Sequence, residues 1–218
     1  MTAAFAERED RVLFYSWLQF LMAEQLAAAQ SSARDVGMGI GVIHDLAVGV
    51  HADGADTWRL GALLAPDVSV GAPPDMYNQL GQNWAQPPWR PGALAEAAFT
   101  PYRDMLRAVL QHAGGVRVDH ILGLYRQWWI PDGFPPAQGT YVAMDHEALV
   151  GILVLEASRV GAVVIGEDLG TVADWIRSDM ADRGILIVGD VPPRERWLAF
   201  WRPLVRASRE SWPTAPPT

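Results

Sequence analysis

Apolar positions near the start of the chain recur at helical spacing. Phe14, Trp17, Leu18, Leu21, Met22 and Leu26 make one wide stripe between Asp10 and Ala33, which predicts a helix with a face that must pack on something. The period then changes: "GMGIGVIHDL" (37–46) is an apolar run that reads as a buried strand with Asp45 near its C-terminal end. Residues 47–99 keep no period and are rich in Gly, Pro, Asp and Asn, as in "SVGAPPDMYNQLGQNWAQPPWRPG", which predicts a long ordered binding loop. Thr100 followed by Pro101 marks a helix start, and Gly114-Gly115 stops that helix after Met105, Leu106, Val109 and Leu110. "VRVDH" (116–120) follows as a strand. Asp145 caps the next helix, which carries Leu149, Ile152, Leu153 and Leu155 to Gly161. "AVVIG" (162–166) is a strand running into "EDLG" (167–170), Thr171 opens a helix through Trp175, Ile176 and Met180, and "ILIV" (185–188) is a last strand. Alternation of strand and helix predicts an α/β chain with a parallel sheet or barrel.

Composition is that of a globular core, with 50% hydrophobic and 19% charged residues. The 25 acidic and 17 basic residues give a net charge of −8, which repels phosphates and anionic lipid, so neither nucleic acid nor membrane is expected as a partner. Cysteine is absent, which excludes disulfides and thiolate metal sites. The opening "MTAAFAERED" lacks the apolar core of a secretory signal, and no apolar run reaches the roughly 18 residues of a membrane span. A cytoplasmic protein is the expectation. Ten Trp residues, several beside Gly, Pro or polar neighbours, suit planar or sugar ligands as well as a core. After Val188 the chain turns to Pro, Arg, Trp and Ser and ends in "SRESWPTAPPT", so residues 190–218 are expected to be a divergent tail to a unit spanning 1–189.

Three strands end in a carboxylate: Asp45, Asp119 and Glu167. The C-terminal edge of a parallel sheet is where sites are built, because loops converge there on side chains that strands hold rigidly. Arg117 shares a face with Asp119 by the two-residue period, and a guanidinium beside a carboxylate favours its charged form, as a nucleophile requires. Glu167, at the end of an apolar strand, is expected to be partly desolvated and to hold its proton, as a donor requires. Two carboxyls in such contrasting settings suit a retaining glycosidase or transglycosylase. Taken singly, each is more often a helix cap or loop residue, and only their coincidence points to a site. His44-Asp45, Asp119-His120 and Asp145-His146 also admit a divalent-metal reading, although neighbours on a strand face opposite sides. Gly37, Gly39 and Gly41 precede or lie within their strand, whereas dinucleotide-binding glycines follow it.

"HDLAVGV" (44–50), "VGAPPDMYNQLGQNWAQPPW" (70–89), "RVDHILGLYRQWWIP" (117–131) and "GEDLG" (166–170), in this order, resemble the amylomaltase or 4-alpha-glucanotransferase family of glycoside hydrolases. The resemblance implies a partial (β/α)8 barrel with a long inserted substrate-binding loop, acting on α-1,4-glucans with another glucan or glucose as acceptor. It implies Asp119 as nucleophile and Glu167 as acid/base, with Arg117, His120 and Asp45 around the sugar at the cleavage point. Asp75, Asn78 and Gln82 would belong to the acceptor-side loop, Trp84 would be a stacking face, and Asp168 would contact substrate. No metal or organic cofactor is implied. The family's third catalytic carboxylate, in a later His-Asp motif, has no match here, and family members are longer, so a truncated and impaired member is the expectation.

Overall fold

The computed structural model describes residues 7–168 and 172–188. Four strands, β1 (Ile43–Leu46), β4 (Gly115–Val118), β7 (Val163–Glu167) and β8 (Leu186–Val188), form a parallel sheet in the order β1-β4-β7-β8. Their registers pair Asp45 with Arg117 and Val118 with Gly166, which brings three C-terminal ends to one edge. Helices α4 (Thr100–Leu110) and α5 (His146–Val160) cover the sheet. Tyr102, Leu106 and Leu110 recur every four residues on α4 and are buried, as are Leu149, Val150, Leu153 and Ala157 on α5. Alternate residues of β4 do the rest, since Val116 and Val118 are buried in the same core while Arg117 is not. Between the helices, buried Glu156 accepts from Arg107 Nε at 2.8 Å and from Arg159 Nη1 at 2.6 Å, so its charge is paired where burial would otherwise be costly.

The expected long loop contains regular structure, and the expectation is corrected. Residues 47–99 hold α2 (Ala55–Leu60), β2 (Val68–Ala72), β3 (Gln82–Gln86) and α3 (Pro91–Glu96). With β5 (Arg126–Pro131) and β6 (Thr140–Ala143) the two strands form a second, antiparallel sheet in the order β3-β2-β5-β6. A bulge between Val70 and Gly71 shifts the β2/β3 register. An ideal Cβ on Gly71 would lie 2.0 Å from the Gln82 carbonyl oxygen, so only glycine allows this approach. These strands carry little alternating apolarity, which hid them.

The first helix, α1 (Glu9–Asp35), lies where the spacing placed it, but its stripe is at most half-buried among the described residues. None of its residues is buried, and Leu13, Phe14, Trp17 and Phe20 are 51–59% exposed. It is tied to the body through Gln30, which donates to the Ile40 carbonyl at 3.1 Å and accepts from the Val42 amide at 2.6 Å. The last helix, α6 (Asp174–Asp182), begins later than Thr171, which lies outside the described residues, as does the tail from residue 189 on. No helix of the described residues is long and apolar enough to cross a membrane.

Candidate active site

Arg117 is the hub of the parallel-sheet edge. Its Nη1 donates to both oxygens of Asp45 at 2.6 and 2.8 Å. Its Nη2 reaches Asp119 Oδ1 at 3.2 Å and Glu167 Oε1 at 3.0 Å. One guanidinium thus gathers the three strand-end carboxylates, a task its fixed planar fork performs and a single ammonium would not. Asp119 stands one residue past β4, its amide donating to the Leu46 carbonyl at 2.9 Å. Glu167 closes β7 and is the less exposed of the pair, at 16% against 38% for the side chains.

Glu167 holds its proton above the ordinary 4.5, first because burial disfavours its charge and next through a hydrogen bond with the Asp119 carboxyl. The His120 amide and Arg117 oppose this without reversing it. That amide donates to Glu167 Oε2 at 3.1 Å. The geometry depends on the turn at the strand end, where His120 adopts φ 47° and ψ 57° and starts a short 3-10 helix over Ile121–Leu124, a left-handed conformation uncommon outside glycine. Ile121 packs so closely on β7 that an ideal Cβ on Gly166 would meet it at 2.6 Å. Burial lowers the His120 imidazole below its ordinary value, which favours the neutral ring, and Trp84 meets its edge at 5.1 Å between centroids.

Asp119, Glu167 and His120 open on a cleft of about 970 Å³ between the two sheets. Asp75, Gln82 and Trp84 also line it. Gln82 Oε1 accepts from Trp84 Nε1 at 2.9 Å, which fixes the indole. Asp75 Oδ1 accepts from the amides of Tyr77 and Asn78 at 2.8 and 2.6 Å, and Asn78 Oδ1 from Leu80 at 3.3 Å. Asp75 and Asn78 therefore shape the loop wall through an Asx-type turn. Asp45 is not among the cleft-lining residues; its 64%-exposed carboxylate holds Arg117 instead. Asp168 has a carboxylate that is 1% exposed; its Oδ2 accepts from Arg177 Nε at 2.9 Å and ties α6 to the strand end, while its Oδ1 has no hydrogen-bond partner among the described residues.

Sequence reasoning missed Arg126 and Tyr141, which line the cleft from β5 and β6 with the guanidinium 4.4 Å from the ring centroid. No strand alternation in "RQWWIP" pointed to them, since its buried positions, Gln127 and Ile130, are three residues apart. The three His and Asp pairs do not converge as metal ligands. His44 Nδ1 faces the Val109 carbonyl at 2.7 Å, Asp145 caps α5 by accepting from Ala148 N at 3.1 Å, and His146 stacks on Tyr125.

Comparison with known proteins bears on this arrangement. A family model described as 4-alpha-glucanotransferase matches residues 1–189. A 4-alpha-glucanotransferase of Mycobacterium tuberculosis is 59% identical over 177 residues, 81% of this chain and 24% of that protein. One from Haemophilus influenzae is 44% identical over 168 residues, 77% of this chain and 24% of that protein. The crystal structure of amylomaltase from Corynebacterium glutamicum superposes with a TM-score of 0.81 at 59% identity, covering 83% of this chain and 26% of its own. Amylomaltase from Streptococcus agalactiae, in complex with acarbose, shares the fold at 20% identity with a TM-score of 0.75, covering 86% of this chain and 39% of its own. The chain thus spans about a quarter of the length of these Mycobacterium and Haemophilus relatives. On the extent of the family match and the identity to these relatives, it belongs to the 4-alpha-glucanotransferase family.

Proposed function

We propose that this chain binds α-1,4-glucan in the cleft between its two sheets and carries the nucleophile and acid/base of a retaining glucan transfer. The observation that carries this is the convergence on one guanidinium of two unequal carboxyls that line the cleft: Asp119, paired with Arg117, and Glu167, which burial keeps protonated above the usual range. Asp119 attacks the anomeric carbon while Glu167 gives its proton to the departing glycosidic oxygen, forming a glucosyl ester. Glu167, now ionised, takes the proton of an acceptor 4-hydroxyl, which attacks the ester and restores the α-linkage. Retaining enzymes work with carboxyls about 5–5.5 Å apart. Here both carboxyls contact one guanidinium, Asp119 at 3.2 Å and Glu167 at 3.0 Å from Arg117 Nη2, which keeps them close enough to act on one glycosidic bond.

Trp84, Gln82 and Tyr141 would contact the sugars, Asp45 would hold Arg117 in place, and glucose or a second glucan would be the acceptor. The parallel strands with covering helices support a segment of a (β/α)8 barrel, and the family match supports residues 1–189 as its extent, with 190–218 as a divergent tail. The expected third catalytic carboxylate has no match within these 218 residues, and a chain of these residues alone is expected to transfer glucan slowly, since losing a transition-state stabiliser commonly lowers rate by a few powers of ten. The test is a titration with maltotetraose followed by Trp fluorescence, together with glucose release from maltotriose. Saturable binding that Trp84→Ala weakens is expected, with glucose release close to that of Asp119→Asn. Absence of saturable binding would overturn the glucan reading, and release well above the Asp119→Asn control would overturn the impairment.

A further inference from the structure

The antiparallel sheet brings its own cluster to the cleft. The register of β5 with β6 sets Trp128 opposite Tyr141 and Arg126 opposite Ala143, so Arg126, Trp128 and Tyr141 share one face, with Arg126 on the diagonal to Tyr141. The side chains meet as that register allows. The Arg126 guanidinium lies over the Tyr141 ring, 4.4 Å from its centroid, and the Trp128 indole meets the same ring at 71° with centroids 4.9 Å apart. Trp128 is fixed in turn, its Nε1 donating to the Pro136 carbonyl at 2.9 Å. Tyr141, held by both neighbours, is still 47% exposed and lines the cleft beside Arg126. The same cleft carries Asp75, Asp119 and Glu167. Each of these acids is already engaged, Asp75 by backbone amides and the other two by Arg117, and the Arg126 cation rests on the ring instead.

We propose that Arg126 is a positioning residue for glucan binding, which holds the Tyr141 ring ready for a sugar and acts through that ring, not by a contact of its own with the glucan. The proposal rests on the glucan reading and adds to it the device that prepares one wall of the cleft. A pyranose presents an apolar face of C–H groups that packs on an aromatic ring. A side chain that must be ordered as the ligand arrives costs affinity, and one clamped beforehand does not. The planar guanidinium suits the clamp, since it stacks on a ring face while its stem stays on the strand.

Maltotetraose, titrated by calorimetry into the full chain and its variants, is the probe. Arg126→Met keeps an unbranched stem and removes the cation, and it should weaken binding about threefold to tenfold, the cost of ordering one side chain. Arg126→Lys, which keeps a cation able to lie on the ring, should restore most of that loss. Tyr141→Ala should weaken binding at least as much, and adding Arg126→Met to it should change nothing further, because the ring through which the arginine acts is gone. Without ligand, the NMR resonances of the Tyr141 ring should move in Arg126→Met while the melting temperature holds. An equal loss from Arg126→Met with and without Tyr141 would mean that the arginine contacts glucan itself. No loss in Arg126→Met, where Trp84→Ala still weakens binding, would mean that the ring needs no clamp. Either result overturns the proposal and leaves the glucan reading standing, whereas no saturable binding by the unsubstituted chain overturns both.

Discussion

At the scale of single residues, the edge of the parallel sheet works because one arginine serves three acids. Asp45, Asp119 and Glu167 each contact Arg117, so ionising all three would leave two negative charges uncompensated, and the most desolvated member keeps its proton longest. This has a measurable consequence for stability. Because the folded-state pKa of Glu167 is raised, its contribution is fully present below its ordinary value of 4.5 and is lost as pH rises through the folded value. Melting temperature should therefore fall over that window in the unsubstituted chain relative to Glu167→Gln, so that the difference between them narrows or reverses with rising pH. A difference that grows in favour of Glu167 would contradict the assignment. The motif residues show how far the sequence carries. Arg117, Asp119 and Glu167 were legible because strand period and strand end fix where they point. The tie from Asp168 to Arg177 was not, because the partner sits on the following helix at a separation that no periodicity encodes.

At the scale of elements, the parallel strands and their helices were legible because continuous apolar runs bounded by caps leave few alternatives. Asp145 behaves as its position suggested, and Asp145→Ala should cost about 1 kcal/mol, measured by chemical denaturation. Gly161, at φ 66°, ends the same helix as read. Phe99, at φ 53°, starts α4 in place of the expected Thr100 cap. The antiparallel strands escaped because their stability comes from pairing and close backbone approach, which a one-dimensional pattern does not record. Gly114 is the sharpest case at the other sheet, where an ideal Cβ would lie 1.6 Å from the Ile40 carbonyl oxygen. Gly114→Ala should therefore lower stability by about 1–3 kcal/mol through forced backbone displacement. Leu106→Ala, at a position with 0% exposure, should cost about 2–5 kcal/mol. Denaturation midpoints unchanged in both variants would contradict the packing described.

At the scale of the whole molecule, two sheets of different kind meet around one cleft, and α1 stands apart from both. Because Phe14 and Trp17 cover no core among the described residues, replacing both with Gln should change stability by no more than about 0.5 kcal/mol per site, as surface substitutions do. A large loss would mean that the helix packs more closely than described. The sequence overstated this element for a physical reason: helical spacing reports that a face is apolar, and says nothing of what lies opposite. The connection between the sheets is short. From Val118 the chain passes through Asp119, His120 and the turn at Ile121–Leu124 straight into β5 at Arg126. Any tilt of the antiparallel sheet would therefore be passed along this tether to Asp119, which couples one wall of the cleft to the strand-end carboxylate: under the proposed transfer, a sugar that wedges that wall open would also drag its own attacker out of line.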